Sequence, residues 1–244
     1  MKLLSWDVGI YNLSYCILEK NDENKEIKII DWNIVNLVDS EKMKKDRNAL
    51  FENIPRKLHE LPQLLDVDGV VIENQPSLKN PQMKSIQMIL YSYFLILGKV
   101  IGNSEITKSY IQSIDFCSAS NKLKVYNGPK IVLPEKKSRV KKNNEEVLDN
   151  KTEANIDEEN TDNKNIEIVE KIPVISIIQE KEDEKKTKSS SVKYADKKRL
   201  AIEHALYYLK KDQPNYFDFF NNHKKKDDLA DSFLQGLYYL KNKK

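Results

Sequence analysis

KLLSWDVGIYNLSYCILEK, residues 2–20, reads as two apolar β-strands joined by a turn around Gly9–Asn12. Asp7 lies near the end of the first strand. A carboxylate at the end of a buried strand is costly unless something cationic meets it. Working outward, residues 27–36 add a third strand beyond a turn at Asn21–Lys25, which makes an antiparallel meander. Residues 43–65 follow a helical spacing, with Leu50, Ile54, Leu58 and Leu61 on one face. Pro55 and Pro62 disturb that spacing, so a kinked or divided helix is predicted. Residues 68–73, DGVVIE, form a short strand of the kind covered on both faces, and it too ends on a carboxylate, Glu73.

After Pro76 and Pro81, the stretch 82–102 is helical with very little polar face. Such a helix is central to the core or part of a subunit interface. Residues 109–118 supply a fifth strand, and SASNKLKVY opens the following turn and helix. An amphipathic helix starts at Tyr194, a short helical segment surrounds Tyr216–Phe220, and a last helix runs from Asp227 to about Asn242. This order predicts an α/β fold: a ribonuclease-H-like mixed five-stranded sheet flanked by helices.

The folded part is expected from residues 1–128 and 192–244. Between them, 129–191 reads as a long disordered charged insertion, because no aromatic falls between Tyr126 and Tyr194 and charge is dense and mixed. Within it, only IPVISII at 172–178 is apolar enough for a strand or a partner contact. Residues 135–190 hold 12 basic and 15 acidic side chains, so the remainder of the chain stands at +6 against +3 for the whole. A basic body suits a polyanionic partner. Cys16 and Cys117 are far apart, with no second thiol or histidine at a zinc spacing, and read as small buried hydrophobes. The apolar stretch 86–101 is too short and too polar to span a bilayer. With the first strand starting at Lys2, no leader precedes it, so a soluble intracellular protein is expected, without membrane contact.

Two further carboxylates begin the last helix in KKKDDLADSFLQG. Asp228 and Asp231 are three apart and point to one side, while Leu229, Phe233 and Leu237 anchor the helix to the core. Spacing leaves Asp227, four before Asp231, as an alternative to Asp228. Each carboxylate alone has an ordinary explanation: Asp-x-Gly is common in turns, and aspartates favour helix starts. Converging, they suit hard divalent ions and in-line attack on a phosphodiester. The six glycines contain no phosphate-loop spacing, which argues against an actin-like ATPase or sugar kinase.

SWDVGIYNLSYCI, VVIENQP, the helix after it, FCSASNKLKVY and KKDDLADSFLQG together resemble the RuvC-type Holliday junction resolvases. The resemblance is greatest to the poxvirus–iridovirus branch and its fungal mitochondrial relatives. It covers most of 1–127 and 194–241, with no counterpart for 129–191. It implies a structure-specific endodeoxyribonuclease that makes paired nicks in four-way DNA junctions, acting as a homodimer. The site residues it implies are Asp7, Glu73, Asp228 and Asp231, holding two Mg²⁺ ions for which Mn²⁺ substitutes, with Asp7 shared by both. It also implies a catalytic lysine, best matched by Lys122, with Lys124 left open. Lys79, Lys84, Lys124, Lys197, Lys198, Lys225 and Lys226 are the expected DNA contacts, joined by Lys193 and Lys224. A flap or fork nuclease of the same fold, or a non-cleaving junction binder, are the competing readings. Lys/Asn/Ile-rich usage is compatible with a large DNA virus, for which a cytoplasmic viral factory or the nucleus would be the compartment.

Overall fold

The central strand of the sheet is the one that carries Asp7. The computed structural model describes residues 1–78, 80–102, 110–132 and 194–242. Strands β1 (Lys2–Val8), β2 (Asn12–Lys20), β3 (Ile27–Asn36), β4 (Gly69–Asn74) and β5 (Ser113–Ser118) form one sheet in the order β3-β2-β1-β4-β5. The meander β1–β3 is antiparallel, whereas β1, β4 and β5 run parallel. Parallel neighbours need crossovers, and helices supply them.

Helices α1 (Glu41–Lys45), α2 (Arg47–His59) and α3 (Pro81–Phe94) connect β3 to β4 and β4 to β5; α4 (Tyr194–Asp212), α5 (Phe217–Asn222) and α6 (Lys226–Asn242) follow. The 43–65 segment is divided as expected, at Asp46 and again at residues 60–61, just before Pro62. The Asp46 carboxylate accepts from Asn48 N and Ala49 N and so caps α2, while Pro55 stays inside that helix and Pro62 opens a 3₁₀ turn. At the other end of the crossover, Asn80 caps α3 with Pro81 in its first turn, and the helix loosens into a π-helical turn over Leu95–Val100.

The two faces of the sheet have separate cores. Leu4, Trp6, Val70 and Ile72 pack against α2 and α3, burying Leu50, Ile54, Ile86, Leu90 and Phe94. Leu3, Cys16, Val71 and Cys117 pack against α4 and α6, with Leu229, Phe233, Leu234 and Leu237 completely or nearly buried. Both cysteines are free thiols and buried, as small hydrophobes are.

Helix α6 lies unusually close to the sheet. A Cβ on Gly236 would come within 2.8 Å of Leu18 Cδ1 and 2.9 Å of Ser5 Cβ, so only glycine permits this approach. Buried polar side chains then fix the helix in rotation. Trp32 Nε1 donates to Leu229 O at 3.1 Å, Ser14 Oγ and Ser232 Oγ are 2.9 Å apart, and Gln235 Nε2 donates to Trp6 O at 3.0 Å. That last bond ties α6 to the residue preceding Asp7. The insertion 129–191, IPVISII within it, Lys79 and Lys193 lie outside the described residues, except for 129–132.

Candidate active site

Strand alternation aims the two strand carboxylates at one place. Residues 3, 5 and 7 of β1 and 69, 71 and 73 of β4 point toward α6, because successive side chains alternate between faces. Trp6 pairs with Ile72 in parallel register, so Asp7 and Glu73 each follow one position later on adjacent strands. On the far side, Glu73 pairs with Cys117 of β5. From there a 3₁₀ turn, Ala119–Val125, folds back over the strand ends and carries Lys122 inward. Gly9 is needed in the β1–β2 turn, since a Cβ there would lie 2.4 Å from Asn12 O. Its φ is not positive, so the demand is for space rather than left-handed backbone.

Lys122 Nζ stands 2.6 Å from Asp7 Oδ1, 3.0 Å from Glu73 Oε1 and 3.0 Å from Asp231 Oδ2. The lysine side chain is 6% exposed, Asp7 14% and Glu73 9%, so these three interact with little solvent screening, while Asp231, at 28%, is more open to water. Burial alone would lower the lysine pKa, but the attraction of Asp7, Asp231 and Glu73 outweighs it and holds the ammonium charged. The carboxylates respond in the opposite way. Burial raises Glu73 to about 7, with Asp7 repelling it further and Lys122 opposing. Burial likewise raises Asp231 to about 6, against the pull of Lys122.

Asp228 is half-buried, and its carboxyl is raised by burial and then by Asp227 and Asp7. Asp227 is engaged elsewhere: Lys198 Nζ bonds its Oδ2 at 2.6 Å and keeps it below its usual range despite burial. Asp228 thus feels the charge of Asp7, whereas Asp227 is paired with Lys198. The same comparison separates the two lysines, because Lys124 is exposed and bonds Asn121 Oδ1 at 2.9 Å.

The expected DNA contacts distribute around this centre. Lys225 and Lys198 are near enough to Asp228 to oppose the rise in its pKa without reversing it. Lys197 and Lys225 are exposed, at the starts of α4 and α6, and Lys226 is half-buried with Nζ 3.5 Å from Asn221 Oδ1. Lys84 lies at the other edge, donating to Asn74 Oδ1 at 3.3 Å and Gln87 Oε1 at 3.1 Å.

Two further residues belong to the site. Gln75 Nε2 donates to Glu73 Oε2 at 2.6 Å, and the backbone N–H of Gln75 donates to Gln87 Oε1 at 2.8 Å. Gln87 is fully buried on α3. Nothing in the sequence singled it out, since α3 also carries Gln82, Lys84, Ser85 and Ser92. Gln75→Ala frees the outer oxygen of Glu73, and the expected result is a loss of about 10- to 100-fold in metal affinity or activity. Titrating the protein with a divalent cation by calorimetry would read this as a weakened affinity.

The donor set fits a hard divalent cation. Three carboxylates from β1, β4 and α6 converge on one ammonium, so the position demands positive charge, and their oxygens are the ligands Mg²⁺ or Mn²⁺ takes. Among the described residues no three acidic, His or Cys groups already stand in ligating geometry. The ammonium occupies the point where the oxygens converge.

No protein-family model matches the chain. It is 31% identical over 191 residues to an uncharacterized protein, L451, of Acanthamoeba polyphaga mimivirus, covering 77% of this chain and 33% of that one. The chain thus spans about a third of the length of that curated relative. The yeast mitochondrial Holliday junction resolvase Ydc2 superposes with a TM-score of 0.51 at 15% identity, over 98% of this chain and 78% of the other. The Holliday junction resolvase of fowlpox virus gives 0.51 at 14% identity over 99% of both chains. These likenesses are of fold: the chain has the ribonuclease-H-like fold of the poxvirus and fungal mitochondrial resolvases, as the motifs implied.

Proposed function

We propose that the protein is a Holliday junction resolvase, a metal-dependent endodeoxyribonuclease that cuts four-way DNA junctions by paired, symmetric nicks. The observation that carries the reading is the convergence of Asp7, Glu73 and Asp231 on buried Lys122, at the end of a sheet of resolvase fold. Asp7, Glu73, Asp228 and Asp231 would hold two Mg²⁺ ions, which when bound activate water and stabilise the leaving 3′ oxygen. Asp7 is central, between the strand carboxylate Glu73 and the helix carboxylates. Gln75 holds the Glu73 carboxylate in one orientation. Lys122 would face the phosphate and neutralise charge building on it. Lys84, Lys124, Lys197, Lys198, Lys225 and Lys226 would contact phosphates, which makes affinity fall steeply with salt.

Two nicks related by symmetry call for two sites, and a homodimer supplies them. On the α2–α3 face, Met88, Ile89, Tyr93, Ile96 and Leu97 line an apolar cavity of about 390 Å³ together with Pro55, and Val100 beyond it is 71% exposed. That face is the proposed dimer surface; the inner side of the same helix, through Ile86, Leu90 and Phe94, belongs to the core. Sedimentation at micromolar concentration is expected to give a species of twice 28.5 kDa; a monomer alone would count against it. Among the described residues no helix is long and apolar enough to cross a membrane.

The deciding experiment is cleavage of a labelled four-way junction with Mg²⁺, beside a flap, a fork and a linear duplex. Paired nicks confined to the junction establish the resolvase. Equal cutting of flaps and forks would make it a broader branched-DNA nuclease. Tight binding without cutting in either metal would leave a junction-binding protein.

A further inference from the structure

The 3₁₀ turn that carries Lys122, Ala119–Val125, is anchored from outside itself. Its N-cap, Ser118, makes no side-chain capping bond, and beyond Val125 the backbone runs extended at Tyr126, with φ −70° and ψ 127°. The last carbonyls of a helix have no partner within it. With three residues per turn, positions 122 and 125 lie one above the other. Lys122 and Val125 are the two buried residues of the turn. Whatever fixes Val125 therefore also fixes which lysine faces the carboxylates.

Helix α4 supplies that hold. The Tyr208 hydroxyl donates to Val125 O at 2.7 Å and lies 3.0 Å from Asn127 Oδ1. Lys241 Nζ donates to the same hydroxyl at 3.3 Å, which leaves the phenolic proton for the carbonyl. Burial raises the Tyr208 pKa, so the group remains a donor. One helical turn earlier, buried His204 stacks on the Tyr126 ring, with centroids 3.9 Å apart and planes 3° from parallel. Burial lowers the His204 pKa and keeps the imidazole neutral in that stack. A Cβ on Gly128 would come within 2.6 Å of the hydroxyl end of Tyr126, so only glycine lets the chain close over that ring.

We propose that Tyr208, with His204 stacked on Tyr126, is a positioning residue that sets the rotation of the turn and so presents Lys122, rather than Lys124, to the carboxylates. Attraction between an ammonium and three carboxylates has no preferred direction, and by itself it does not choose between lysines two residues apart. A hydrogen bond to the carbonyl three residues beyond Lys122 is directional and does. The consequence for cleavage rests on the nuclease reading; the placement of Lys122 does not.

The first test needs neither metal nor DNA. The full chain is pulsed with acetic anhydride, and acylation of Lys122 and Lys124 is compared by mass spectrometry. Lys124 is expected to react far faster than Lys122 in the wild type. Tyr208→Phe keeps the ring in the core and removes only the hydroxyl, so it should raise Lys122 acylation about fivefold, the size of one lost hydrogen bond. Tyr126→Ala, which removes the stack, should also raise it. Unchanged Lys122 acylation in both variants would overturn the clamp.

The second test is a double-mutant cycle on junction cleavage at saturating Mg²⁺. Tyr208→Phe should slow cleavage about fivefold and leave junction affinity within about twofold, and it should cause no further slowing in Lys122→Met. Equal slowing in both backgrounds would show a general structural role and overturn action through Lys122. A wild type that cuts no DNA, with Lys122 still released by Tyr208→Phe, would overturn the nuclease reading and keep the clamp.

Discussion

Asp7→Asn is expected to reduce junction cleavage by at least about 10³-fold while leaving junction binding in place. Asparagine has the shape of aspartate and keeps the β1 backbone, but it withdraws one full charge from the centre of the cluster. Asp7 makes the shortest contact to Lys122, at 2.6 Å, and repels Glu73, Asp228 and Asp231, so each neighbouring group feels its charge. The folded state loses an attraction to Lys122 and is relieved of repulsion among carboxylates, so stability should change little. A gel-shift titration run beside the cleavage assay separates the two effects. Undiminished cutting by the variant would remove Asp7 from the site.

Lys122→Met should show two effects that depend on conditions in different ways. Without divalent ions, it leaves the three carboxylates at the cluster with no cation, and breaking a buried pair from one side typically costs about 3–5 kcal/mol. Glu73 titrates at about 7 and Asp231 at about 6, both above ordinary carboxylate values, even with the ammonium present. Removing the ammonium raises both further. Carboxyls with raised folded-state pKa take up protons on folding, so the penalty is relieved as pH falls below their folded values and is felt as pH rises through them. Thermal melts of the metal-free variant should therefore show a larger deficit at pH 8 than at pH 6, and Mg²⁺ should recover more stability in the variant than in the parent. Cleavage should nevertheless stay down by about 10²–10³-fold at saturating Mg²⁺, the usual cost of losing one group that meets developing charge. Wild-type melting at every pH, or full activity in Mg²⁺, would show that the lysine is incidental.

Local chemistry made much of this molecule legible. The apolar run around Asp7 and the β-branched run before Glu73 bury themselves as strands, and β1 and β4 are adjacent in the middle of the sheet. The i, i+3 spacing of Asp228 and Asp231, with Leu229 and Phe233 between and beyond them, fixed which side of α6 faces the core. Proline was a weaker guide. Pro55 is accommodated inside α2, although that helix does end just before Pro62, and the earlier break is at Asp46, where a carboxylate satisfies two N–H groups at the helix start.

Short-range pattern does not contain the choices between near neighbours. Lys122 and Lys124 are two residues apart, and Asp227 and Asp228 are consecutive, with equal claims by spacing. In the fold, a 3₁₀ turn buries Lys122 among the carboxylates and exposes Lys124, while Lys198, arriving from α4, pairs with Asp227. Gln75 and Gln87 were silent for the same reason, because their partnership joins a loop to a helix twelve residues on. Strands, helices and the acidic residue types at their ends were already legible in the amino-acid order, since they follow from periodicity and the cost of burying charge. Which groups share one cation emerged with the folded chain, because electrostatic partnership depends on distances of about 3 Å across chain separations of more than a hundred residues.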